Sequence, residues 1–215
     1  MSGLVTGRRR IVRSIMAMTV TAVAMLGASQ STVAAAPQQS PDDPSQQLAE
    51  RFAPIVMLKQ QAKVCSTDGE QFRPSSVDVV LDNPEIALRQ VSGGNPVVSR
   101  APSAADLFGL GEGFFLDFPG TSLTPGCIYE RDFQKYSEDR PAAIYAHVVQ
   151  QPNEPDLVFV EYWFYWYYND WNNKHESDWE GITLQFEASS VEEALQSEPV
   201  AVGYAQHEGG ERTNW

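Results

Sequence analysis

Leu157-Val-Phe-Val-Glu-Tyr-Trp-Phe-Tyr-Trp-Tyr-Tyr168, Asn169-Asp-Trp-Asn-Asn-Lys-His-Glu-Ser177 and Asp178-Trp-Glu-Gly-Ile-Thr-Leu-Gln-Phe-Glu187 follow one another without a break. The first of these three stretches is dense in aromatic and β-branched side chains and has no Gly or Pro, which predicts a strand. Both of its faces are apolar, with Val158, Val160, Tyr162, Phe164 and Trp166 on one and Leu157, Phe159, Trp163, Tyr165 and Tyr167 on the other. That pattern predicts a central strand covered on both sides. A run this short, with Glu161 inside it, does not span a bilayer. The third stretch alternates, Ile182, Leu184 and Phe186 against Thr183, Gln185 and Glu187, as a half-buried strand does.

Side chains on a strand repeat every second residue, so Asp178 and Glu180 share the face of Ile182, Leu184 and Phe186. Asp170 continues the face of Trp166 and Tyr168, and the intervening loop supplies His175. Carboxylates gathered at the mouth of a core repel one another and lose hydration unless positive charge sits among them. A divalent cation held by Asp170, His175, Asp178 and Glu180 meets that need, with Ca²⁺, Mg²⁺ or Mn²⁺ ahead of Zn²⁺ because the donors are mostly oxygen. The alternative is a solvated strand end.

The run His175-Glu176-Ser177-Asp178-Trp179-Glu180 resembles the His-Glu-Gly-Asp-Trp-Glu signature of the Vps62-like family, with Ser177 in place of glycine. More distantly it is similar to the Gly-His-Arg-His-Asp-Trp-Glu heptapeptide of the necrosis-inducing NPP1-like proteins, which it matches at His175, Asp178, Trp179 and Glu180 and leaves at Lys174, Glu176 and Ser177. The second resemblance implies a β-sandwich with a divalent cation at its edge, held by His175, Asp178, Glu180 and Asp170. It also implies a surface partner of the glycan or glycolipid kind, since that family lyses plant cells through membrane sphingolipids. Phe52-Ala-Pro-Ile-Val56 and Phe72-Arg-Pro-Ser-Ser-Val77 resemble the opening of Vps62-like domains. Those domains continue beyond the place where this chain stops at Trp215, so the chain is expected either to be C-terminally truncated or to close without the later strands.

The first 36 residues carry no acidic side chain and begin with Arg8, Arg9, Arg10 and Arg13, followed by an apolar stretch over residues 15–28 and Val33-Ala34-Ala35. This predicts a signal peptide over residues 1–35, by a Sec or twin-arginine route, then a disordered leader over 36–43 and one β-rich domain over 44–215. The whole chain has 15 basic and 28 acidic residues, and loss of the leader arginines makes it more acidic still. A net negative surface repels nucleic acid and anionic lipid headgroups unless cations bridge, so neither is expected as a partner. In an oxidising compartment Cys65 and Cys127 are expected to form a disulfide; the alternatives are a free buried pair, or zinc on both thiolates with further ligands that the sequence does not identify.

Asp43-Pro44-Ser45-Gln46 and Ser190-Val-Glu-Glu193 have the form of capping boxes and predict short helices to about residues 52 and 196. Residues 91–126 are rich in Gly, Pro and Ser and predict loops with at most short elements. Residues 142–150 predict a strand in hairpin with the one at 157, making His147 a strand residue rather than a ligand, and residues 200–206 predict a further strand. That strand delivers His207, a candidate ligand or supporting residue, into a mobile glycine loop. Three functions fit: an exported ligand-binding or toxin-like module with a cation site, a metal-dependent hydrolase using His207 or Glu176 as acid or base, and a purely structural exported domain.

Overall fold

The computed structural model describes residues 15–16, 42–206 and 209–215. Most of the expected signal peptide and leader, and His207, lie outside the described residues. The protein is mainly β, with two sheets and short helices. Its strands are β1 (Ile15–Met16), β2 (Ala87–Gln90), β3 (Val97–Arg100), β4 (Phe114–Asp117), β5 (Ile144–Val149), β6 (Leu157–Asn169), β7 (His175–Glu187), β8 (Ala201–Gln206) and β9 (Gly209–Asn214). Helices α1 (Pro44–Arg51), α2 (Ala104–Leu107), α3 (Ile128–Ser137) and α4 (Val191–Ala194) and the 3₁₀ turn Val77–Val79 complete it. Six strands run in the order β1-β5-β6-β7-β8-β9, and three in the order β3-β2-β4. No helix among the described residues is long and apolar enough to cross a membrane.

The chain divides into two compact units, and β6 and β7 contribute residues to each. Met57–Ile144 and Tyr165–Asp178 belong to the first. Its core is aromatic: Tyr167, fully buried, has ring centroids of Phe118 at 4.6 Å, Phe133 at 5.7 Å, Phe72 and Tyr136 at 6.3 Å and Tyr129 at 6.4 Å around it. Phe72 stacks on Tyr167 at 28° and the other four rings are tilted or edge-on to it, arrangements that the aromatic quadrupole favours. Phe133 and Tyr136 reach this core from α3, as does Tyr129, because positions i, i+4 and i+7 share one helix face. No element was expected there. The backbone of Ser75 ties the unit to β6 by donating to Tyr165 O at 3.0 Å.

Ile15–Val56, Tyr145–Phe164 and Trp179–Trp215 make up the second unit. Asp43 caps α1 by accepting from Ser45 N at 2.9 Å, and Pro44 opens it, as expected. Gln46 does not close a capping box; its amide donates to Glu50 one turn on. At α4 the Ser190 hydroxyl accepts from Glu193 N, while the Glu193 carboxylate turns to Ser189 N and Oγ. A complete box occurs instead at α2, between Ser103 and Asp106. Leu48 and Ala49 of α1 are buried with Val158, Val160, Tyr162, Phe164, Leu184, Phe186 and Val202. The Tyr162 hydroxyl donates to Ala49 O at 2.9 Å, and Phe52 meets Phe186 edge-on at 5.1 Å.

Burial alternates along the first half of β6: Val158, Val160, Tyr162 and Phe164 are buried, Leu157, Phe159 and Glu161 are half-buried, and Trp163 is 38% exposed. Coverage on both sides, expected for the whole strand, thus holds only toward its end, where Tyr165, Tyr167 and Tyr168 are all buried. Leu184 pairs with Val202 and Ile182 with Tyr204 between β7 and β8. Gly209 and Gly210, expected in a mobile loop, begin β9, which pairs antiparallel with β8 from Gln206↔Gly209 to Ala201↔Asn214. Backbone hydrogen bonding to β8 imposes a strand on residues whose own side chains carry no strand signal.

Candidate functional site: the β6–β7 hairpin and the open face of the sheet

Asn169, at the end of β6, organises the hairpin loop. Its Oδ1 accepts from Trp171 N at 2.9 Å, which leaves Nδ2 to donate to Asn173 Oδ1 at 3.0 Å and to His175 Nε2 at 3.1 Å. With Nε2 accepting, the imidazole proton sits on Nδ1 and is donated to Ser177 O at 2.8 Å. Ser177 has a left-handed backbone, φ 59°, and its hydroxyl pairs with the Tyr165 hydroxyl at 2.7 Å. The left-handed region is one that glycine enters without a Cβ penalty, so Ser177 holds it at a cost.

The expected cation ligands are each engaged with the protein. Exposed Asp170 pairs with Lys174 Nζ at 3.0 Å, and His175 uses both ring nitrogens as described. Asp178 is half-buried in the first unit; Glu180 is half-buried in the second, opposite Gln206. Three carboxylates and an imidazole have the chemistry of a hard-cation site, but among the described residues the group of His, Cys, Asp or Glu whose ligand atoms lie within 4.8 Å of one another is Cys65, Cys127 and Glu130. To take up a cation, Asp170 would have to leave Lys174, and His175 would have to leave Asn169 or the Ser177 carbonyl. Glu176, considered as an acid or base, accepts from Tyr129 at 2.6 Å, and the Tyr129 phenol is pushed well up by burial first and by this carboxylate second.

The second unit presents a different feature. Trp163, Trp179 and Gly181 fall on the face of the sheet opposite the buried residues of β6 and β7, and Tyr145 faces Trp163 across the β5–β6 ladder. A Cβ on Gly181 would lie 3.2 Å from both Cε3 and Cζ3 of Trp163 and 3.4 Å from Cη2, so the indole is laid over the glycine backbone. Trp179, 41% exposed, meets Tyr145 with ring centroids 5.5 Å apart. By the same alternation His147, Glu161, Thr183 and Gln185 flank the rings; His147 Nδ1 lies 3.1 Å from Glu161 Oε2, and Gln185 Oε1 accepts from Arg212 at 3.2 Å. The sequence reading missed this surface, although a lone glycine inside a strand is a signal of close approach by another group. His147 is a strand residue, as expected.

Cys65 and Cys127 form a disulfide, also as expected. It closes 62 residues of separation, worth about 4 kcal/mol by loop entropy.

No protein-family model and no curated protein matches the chain. Solved structures do. One described as "Toxin fold as basis for microbial attack and plant defense" is 19% identical with a TM-score of 0.41, covering 83% of this chain and 58% of its own. "NLPPya in complex with glucosamine" is 18% identical with a TM-score of 0.38, covering 85% and 59%. "NLPPya in complex with mannosamine" is 15% identical with a TM-score of 0.37, covering 85% and 60%. The chain thus spans less than two thirds of the length of the structures it is similar to. At such scores and identities the similarity carries no functional argument.

Proposed function

We propose that the protein is an exported binding module that takes a glycan on the open face formed by β5, β6 and β7. The observation that carries this reading is the Trp163 ring laid on Gly181 with the Trp179–Tyr145 pair on the same face. A pyranose presents a C–H face that stacks on an indole and a rim of hydroxyls that need donors and acceptors. Glu161, His147, Thr183 and Gln185 supply those beside the rings. Aromatic residues fixed on strands lose little conformational freedom on binding, so more of the contact energy appears as affinity. Export rests on the arginine-led apolar leader and accords with the Cys65–Cys127 disulfide.

The test is calorimetric titration of the mature chain with a panel of neutral and amino-hexose oligosaccharides, repeated for Trp179→Ala, Trp163→Ala and Trp171→Ala. Trp171 is 76% exposed in the hairpin loop and controls for a generic exposed indole. Loss of at least tenfold in affinity for the first two variants, with Trp171→Ala unchanged, is expected. No binding to any saccharide, or an equal loss in Trp171→Ala, rules the reading out.

The cation on the hairpin is a second reading, favoured by the half-buried His175 and Asp178 on either side of left-handed Ser177. A cation there would take Asp170 from Lys174 and His175 from Asn169. The ion would compete with Lys174 for the same carboxylate, so the lysine side chain sets how much affinity is left for it.

A further inference from the structure

Cys127 is the N-cap residue of α3 and Glu130 lies in its first turn, so a Cys-x-x-Glu spacing brings both side chains to one side of the helix start. Cys65 faces them from a loop in which it holds a left-handed backbone, φ 66°, and its N–H donates to Glu130 Oε2 at 2.9 Å. Gln61 Nε2 reaches the same oxygen at 3.4 Å. The two sulfurs and a Glu130 carboxylate oxygen lie within 4.8 Å of one another. Glu130 is 2% exposed, and its Oε1 is buried with no hydrogen-bond partner. Oε2 is held by the Cys65 loop, but an Oε1 withdrawn from water and given no donor is costly.

We propose that Cys65, Cys127 and Glu130 form a thiol-gated site for a borderline-soft divalent cation of the zinc class, available when the disulfide is reduced. A dithiol reductant gives two electrons and two protons to the S–S bond and leaves as its own disulfide. The bond breaks to two thiols. As the cation binds, both thiols release their protons to water, and two thiolates, the carboxylate and one solvent molecule make a tetrahedral shell. The partial positive charge at the start of α3, a helix of 10 residues, favours these anionic ligands. Two sulfurs select zinc over calcium or magnesium, which separates this site from the all-oxygen-and-imidazole set on the hairpin. The buried Glu130 carboxylate, one oxygen of which has no donor, then has a cation to compensate it.

The experiment uses the full chain reduced with an immobilised phosphine, which leaves as phosphine oxide and adds no competing thiol. One equivalent of Co²⁺ should give sulfur-to-cobalt charge-transfer absorption that Zn²⁺ displaces, and the oxidised chain should give none. Glu130→Gln and Cys127→Ser should each weaken Co²⁺ binding at least tenfold. Absence of the absorption in the reduced chain, including through loss of fold that metal does not restore, overturns the proposal. So does Glu130→Gln binding as tightly as wild type. If Glu130→Gln does not fold, alkylation of the reduced wild type decides: thiols that Zn²⁺ protects support the site, and thiols that it leaves fully reactive overturn it.

Discussion

Replacing Tyr167 by phenylalanine should leave the protein as stable or more so, against the usual direction for a core substitution. The ring is fully buried with five aromatic neighbours, whose centroids lie 4.6 to 6.4 Å away. Phenylalanine keeps all of those contacts. What it removes is a hydroxyl that is buried without a hydrogen-bond partner, and a group in that state costs about 1 to 3 kcal/mol. Part of that is given back as a small void where the oxygen was, so a net gain of about 1 kcal/mol is expected. Tyr167→Ala, which takes the ring from all five neighbours, should lose about 3 to 5 kcal/mol. Urea denaturation at equilibrium reads both variants, the midpoint reporting stability as long as the slope is unchanged. A loss of more than about 1 kcal/mol in Tyr167→Phe would refute the reasoning. It would mean that the hydroxyl donates in solution, with Asp132 Oδ2, a buried acceptor without a partner on a carboxyl that burial pushes up, as the natural candidate. Asp132→Asn in both backgrounds would then show coupling.

Further outcomes are expected at other sites. Ser177→Gly relieves the left-handed backbone and loses the bond to Tyr165, two effects of about 1 kcal/mol each that nearly cancel, whereas Ser177→Ala loses the bond and keeps the strain; equal melting temperatures for the two variants would contradict this. Burial raises the phenols of Tyr129, Tyr136, Tyr167 and Tyr168 above their usual 10.0, Tyr168 to about 12. The folded state therefore holds protons that the unfolded state gives up, so stability should be level below the usual phenol pKa and fall as pH rises beyond it, and a flat midpoint across that range would show these phenols accessible. Lys174→Ala should strengthen any stabilisation by Ca²⁺, Mg²⁺ or Mn²⁺ by freeing Asp170, and melting curves with no metal dependence in either protein dispose of the hairpin cation. Gly181→Ala should displace Trp163 and weaken saccharide binding while changing the melting temperature little, because the ring has solvent to move into.

Local chemistry made several elements legible in the sequence. Period-two alternation marks β7, aromatic density marks β6, Asp43-Pro44 opens α1, and a count of two cysteines leaves one pairing. These depend on neighbours along the chain, which the sequence lists directly. What covers a strand does not. Trp163 and Tyr162 are both large aromatics, yet one is 38% exposed and the other 1%, because Tyr162 meets α1 and Trp163 faces outward over a glycine one strand away. Gly209 and Gly210 are strand residues only because β8 lies beside them. Glu130 reads as a surface acid of a helix until the Cys65 loop closes over it. The hairpin acids and His175 were visible as candidates, but their partners, Lys174, Asn169 and the Ser177 carbonyl, follow from the path of the turn. Sequence alone determined which residues could form strands, caps and a disulfide. Tertiary structure decided which side chains water still reaches, because burial is a property of contacts between segments far apart in the chain.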